Sequence, residues 1–127
     1  MSKRIKVMVV DDSVQFAGAV AQFLAASENF EVLESARSGS EALARAGSER
    51  PDLMLIDIGM PGMSGLAVAS LVKAGESAPK VVIMTLDDSE ERRDSAIAAG
   101  ADAFLPKGDF ADELHEVVDM LFGASRA

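Results

Sequence analysis

The sequence predicts an α/β fold: a five-stranded parallel sheet, doubly wound, with five helices. Two observations predict it. Strand-length apolar runs alternate with stretches of helical period from end to end. Within the runs consecutive residues are apolar, as in "VMVV" and "LMLI", which suits strands buried on both faces. Such strands need helices on both sides of the sheet.

The elements follow in order. Ile5 to Val10 reads as the first strand, and Ser13 to about Ala26 as a helix with Phe16, Val20, Phe23 and Leu24 on one face. Phe30 to Ala36 reads as a second strand. It sets Phe30, Val32 and Leu33 against Glu31 and Glu34, a pattern that suits a sheet edge. Ser38 to about Gly47 is a helix, with Ser38 and Glu41 at capping-box spacing. Pro51 and Asp52 punctuate before the third strand, Leu53 to Ile56. The loop "GMPGMSG" leads into a helix that starts near Ser64 and fades by Gly75. Val81 to Met84 is the fourth strand. The fourth helix, about Ser89 to Ala99, is closed by Gly100. It has one large apolar residue, Ile97, and reads as a helix packed mainly through alanines, with a loosely held helix that can shift as the second reading. Ala103 to Leu105 is a short fifth strand, and the last helix runs from about Phe110 to Phe122.

At 127 residues the chain reads as one domain, 1–127, with a core of about 4–122 and a tail or linker stub at 123–127. Such a chain buries about two-thirds of its unfolded surface. Residues are 49% hydrophobic and 26% charged, as in an ordinary globular domain. A net charge of −9 argues against direct binding of nucleic acid or of an anionic membrane. There is no cysteine, which excludes disulfides and thiol chemistry. No stretch approaches the ~20 apolar residues of a membrane span. The expected location is the cytoplasm.

The chemistry lies where the strands end. Asp11 and Asp12 end the first strand, Asp57 the third and Thr85 the fourth, and Lys107 follows the fifth. In open α/β sheets ligands bind beyond the carboxyl ends of the strands. If the first and third strands are neighbours, three carboxylates converge. Adjacent carboxylates repel unless a cation lies between them. Hard oxygen ligands select Mg²⁺ or Mn²⁺ over zinc. A carboxylate beside such an ion and a lysine can act as nucleophile on a phosphoryl group, giving an aspartyl phosphate. Thr85 would donate its hydroxyl to a phosphoryl oxygen.

In order and spacing, Asp11-Asp12, Asp57 followed by "MPGMSG", Thr85 after "VVIM" and "FLPKG" around Lys107 resemble the receiver domain of two-component response regulators, over nearly the whole chain. The resemblance implies the flavodoxin-like strand order 2-1-3-4-5. It implies Asp57 as the phosphoacceptor, with Thr85 and Lys107 binding the phosphoryl group. It implies Mg²⁺ held by Asp11, Asp12, Asp57 and the backbone carbonyl of Gly59, with Mn²⁺ as a substitute. Phe104 would be an aromatic switch that turns inward as Thr85 moves. A sensor histidine kinase or phosphotransfer protein would be the donor. The face of the fourth helix, fifth strand and fifth helix would bind an output protein or a second copy.

Some positions depart from the family pattern. Leu86 stands where most receivers have a small residue, and is expected to cover part of the pocket entrance and slow small phosphodonors. Asp87 and Asp88 add charge at the same mouth, and Asp87 is counted with Leu86 as pocket-modulating. Gly59 offers only backbone. Gly108 replaces the proline that many relatives carry after a cis bond. The second reading is a receiver-like interaction module independent of phosphorylation, favoured by Leu86 and the acidic pair, and opposed by the intact Asp12, Asp57, Thr85 and Lys107. An Mg²⁺-dependent phosphatase would want a second carboxylate where Gly59 stands. Flavin binding would want phosphate-cradling glycines after the first strand.

Overall fold

The structure, a computed structural model, describes residues 4–87 and 89–123. Asp88 and the tail residues beyond 123 lie outside the described residues. The chain runs β1 (Ile5–Val10), α1 (Val14–Ala25), β2 (Phe30–Val32), α2 (Gly39–Glu49), β3 (Leu53–Asp57) and α3 (Gly65–Lys73). It continues with β4 (Lys80–Thr85), α4 (Glu90–Ala98), β5 (Ala103–Pro106), a 3-10 turn at Lys107–Asp109 and α5 (Phe110–Phe122). All neighbouring strands are parallel, in the order β2-β1-β3-β4-β5. The flavodoxin-like order is thus present, and the winding reverses between β1 and β3.

The alternation of a strand divides the core into two layers. Val7 and Val9 of β1, Leu53 and Leu55 of β3, and Val82 and Met84 of β4 face α1 and α5, packing on Val20, Leu24, Leu114 and Val118. Met8, Val10, Met54, Ile56, Val81 and Ile83 face the other way, onto Ala42, Val68, Ala69 and Ala96. These strand residues are fully buried, which is why the sequence shows unbroken apolar runs rather than alternation.

Serines start the first four helices. The hydroxyls of Ser13, Ser38, Ser64 and Ser89 accept from the amides of Phe16, Glu41, Ala67 and Arg92 at 3.1–3.3 Å. The Ser38–Glu41 box differs in one detail: the Glu41 carboxylate reaches past Ser38 to the amide of Arg37, at 3.1 Å. At the end of α4, Gly100 takes φ 96°, and the amides of Gly100 and Ala101 donate to Ile97 and Ala96. This is a Schellman closure, which favours glycine for its positive φ. α4 does pack through alanine: Ala96 is buried, whereas Ile97 is 64% exposed.

The second strand is shorter than the sequence predicts, ending at Val32 rather than Ala36. The amides of Leu33 and Ala36 donate to the carbonyls of Val7 and Val9. Three residues on one strand are thereby set against two on the other, the count of a bulge. Ala36 rejoins β1 only as an isolated bridge to Val10.

Candidate functional site

The register sets the geometry. Val10 pairs with Ile56 and Asp57 with Met84, so Asp11, Asp57 and Thr85 each lie at the carboxyl end of a neighbouring strand. The Asp11 carboxylate is fully buried. Its Oδ1 accepts from the amide of Ser13 at 2.8 Å, a short turn that delivers Ser13 as the cap of α1. Gly65 makes room behind β3. A Cβ at Gly65 would collide with the Asp57 carbonyl, so glycine lets α3 start directly against the backbone that carries Asp57.

Lys107 joins the two acids. Its Nζ is 2.8 Å from Asp11 Oδ2 and 3.2 Å from Asp57 Oδ1, and its side chain is nearly buried. Burial pushes the Asp57 carboxyl above its usual value. The Asp11 charge adds to that rise, while Lys107 and the Gly59 amide oppose it. Burial by itself would lower the Lys107 ammonium, but Asp11 and Asp57 outweigh it and raise its pKa. The cluster therefore carries more negative charge than one ammonium neutralises.

Asp12 is exposed, and it offers a carboxylate oxygen within 4.8 Å of oxygens from Asp11 and Asp57. Asp11 Oδ2 is buried and accepts no well-directed hydrogen bond; its close partner is the Lys107 ammonium. A buried carboxylate oxygen with spare capacity, two further hard oxygen donors and excess negative charge together fit a divalent cation such as Mg²⁺ or Mn²⁺. Gly59 is exposed on the loop that follows β3.

Thr85 is buried, and its Oγ1 accepts from the amide of Asp87 at 3.0 Å. With that lone pair used, the hydroxyl hydrogen is left to donate elsewhere. The Asp87 side chain makes its contacts at the start of α4. Its Oδ1 accepts from the Ser89 amide and Oδ2 lies 3.6 Å from Arg92 Nε, contacts that hold its carboxyl below the usual range. It shapes the loop into α4 through its backbone contact with Thr85. Leu86, the residue after Thr85, is 87% exposed.

Phe104, on β5 beside Ile83, is half-buried, with the Arg93 guanidinium 4.8 Å from its ring centre. Every peptide bond among the described residues is trans, that between Lys107 and Gly108 included. Sequence reasoning assigned Phe16 only to the apolar face of α1. The structure puts its ring 4.4 Å below the Lys107 ammonium. The available signal was position: Phe16 lies in the first turn after Asp11-Asp12, at the same sheet edge as Lys107.

The family model for the response regulator receiver domain matches residues 7–119. A protein-glutamate methylesterase/protein-glutamine glutaminase of Geobacillus kaustophilus is 34% identical over 95% of this chain and 36% of its own length. The nitrate/nitrite response regulator protein homolog of Haemophilus influenzae is 30% identical over 93% of this chain and 57% of its own. The chain thus spans between about a third and just over half of these two relatives. Among solved structures, the Vibrio cholerae chemotaxis protein CheY4 superposes with a TM-score of 0.84 at 28% identity, over 94% of this chain and all of that one. Sheet order, the acid cluster bridged by lysine and the family match agree: this chain belongs to the response regulator receiver domain family of two-component signalling.

Proposed function

We propose that Asp57 accepts a phosphoryl group from a cytoplasmic sensor histidine kinase or phosphotransfer protein, and that residues 1–127 act as one receiver unit. The observation that carries this reading is the Lys107 ammonium shared between Asp11 and Asp57 at the point where the winding reverses. One Asp57 oxygen attacks phosphorus, the O–P bond forms, and the P–N bond to the donor imidazole breaks. The electron pair goes to the imidazole nitrogen, which takes up a proton from water. The protein supplies mainly position and charge. Lys107 lies where it can follow a phosphoryl oxygen on Asp57, and the Thr85 hydroxyl hydrogen is free to donate to another. Asp11, Asp12, Asp57 and the Gly59 carbonyl would hold Mg²⁺ or Mn²⁺, which when bound supplies positive charge against the phosphoryl oxygens. Loss of the group is the reverse in kind: water attacks phosphorus and the Asp57 carboxylate is regenerated.

Phosphorylation biases a pre-existing equilibrium through contacts that differ between two states. If Thr85 moves toward the phosphoryl group, the Asp87 amide that it anchors moves too, and with it the start of α4. α4 resists weakly, since Ala96 is its one buried residue. Phe104 would then leave its Arg93 contact and turn inward. The face of α4, β5 and α5 would change for an output protein or a second copy. The test is beryllofluoride, a phosphoryl mimic, followed by fluorine NMR with and without Mg²⁺. A Mg²⁺-dependent bound signal, absent in Asp57→Asn, supports the reading. Wild type without a bound signal favours an interaction module that does not use phosphorylation.

A further inference from the structure

We infer that Phe16 is a positioning residue for Lys107: its ring face holds the ammonium toward Asp57 while Asp11 engages other ligands. This deepens the phosphoacceptor reading and rests on it. The Lys107 Nζ contacts two carboxylates and also lies over the Phe16 ring, 4.4 Å from its centroid. An ammonium is attracted to the negative face of an aromatic ring, more so where water is excluded. The Lys107 side chain is 9% exposed and Phe16 is half-buried, so the contact is largely dry.

The ring is itself held. Phe110, three residues after Lys107, meets Phe16 edge to face at 5.3 Å and 70°, and Phe110 meets Phe23 at 5.6 Å and 76°. These are the preferred aromatic geometries. The helix that carries Phe16 is therefore packed against the start of α5, which directly follows the turn that carries Lys107. The functional consequence lies in the sharing of Asp11. Lys107 holds Asp11 more closely than Asp57, and Asp11 is also a candidate cation ligand. When Asp11 turns to a cation, the lysine loses its shorter contact. A long flexible side chain would then swing. The aromatic face does not compete with the cation, so it keeps the ammonium over Asp57.

Two measurements test this together. Ring-current NMR reads the contact directly in the metal-free protein. The Lys107 ε-methylene protons should be shifted upfield, and the shift should vanish in Phe16→Leu and persist in Phe16→Tyr. The second measurement is a double-mutant cycle on the rate of phosphoryl adduct formation from acetyl phosphate. Phe16→Leu should slow the wild type about threefold or more, a loss within the cation–π range. Phe16→Tyr should restore most of the rate. In a Lys107→Met background Phe16→Leu should change nothing, because the ammonium it positions is gone. Equal slowing in both backgrounds, or no upfield shift in wild type, overturns the proposal. A wild type that forms no adduct sinks the phosphoacceptor reading instead, and the ring-current result still decides whether Phe16 places Lys107.

Discussion

The Lys107 ammonium lies 2.8 Å from the Asp11 carboxylate, so a cation delivered by the end of β5 closes the end of β1. Asp57, at 3.2 Å, shares that cation and is the less well compensated acid. Removing its charge should relieve the cluster while keeping the Lys107–Asp11 pair. Asp57 is raised above its usual value by burial and by Asp11, so between its ordinary and its raised pKa the folded state binds more protons than the unfolded one. Stability therefore falls as pH rises through that interval. Asp57→Asn should melt higher than wild type at pH 7 without metal. The difference should shrink as pH drops below the ordinary carboxylate range. Thermal melts across that range check it, and an Asn variant less stable at pH 7 contradicts it.

Mg²⁺ should stabilise the folded protein by mass action, by about 2.7 kcal/mol at a hundredfold excess over its dissociation constant. Asp12 is exposed and makes no buried pair, so Asp12→Asn should leave metal-free stability within about 0.5 kcal/mol. It should remove most of the Mg²⁺ effect. Urea unfolding with and without MgCl₂ separates the two. An unchanged Mg²⁺ response would place the cation elsewhere.

Gly65 abuts the Asp57 carbonyl so closely that any side chain must push α3 away from β3. Gly65→Ala should cost about 1–3 kcal/mol, the usual penalty of overpacking. It should also slow adduct formation, because the displaced backbone carries Asp57. Chemical denaturation and adduct kinetics on one variant give both numbers. A neutral result in stability would mean the helix start yields freely.

Leu86 is 87% exposed, so its side chain contributes little packing to the folded state. Leu86→Ala should change folded stability by less than about 0.5 kcal/mol. Its rate with acetyl phosphate should stay near that of wild type. A clear acceleration on truncation would show that the leucine folds over the entrance when a donor arrives.

How much of this was legible depends on how far each feature reaches along the chain. Asp11, Asp57, Thr85 and Lys107 were legible because each interrupts or follows an apolar strand, and parallel strands deliver their ends to one edge. The parallel sheet was legible from unbroken runs such as Val7 to Val10, both faces of which are covered. The end of β2 was not, since apolar and polar residues keep alternating near Glu34 while the hydrogen bonds to β1 skip a residue. The exposure of Leu86 was not legible, because the strand pattern ends at Thr85 and says nothing of which loop side chains are covered. Phe16 and Lys107 were both visible, but the contact joins the first helix to the last turn. Only the packing of α1 beside α5 brings that pair together.

The most direct test of the central claim is the intact mass of the protein after acetyl phosphate and Mg²⁺, with Asp57→Asn alongside. Wild type should gain one phosphoryl group and the variant none, and the adduct should be lost when Mg²⁺ is withheld. An adduct of equal yield in Asp57→Asn, or none in wild type, would contradict it.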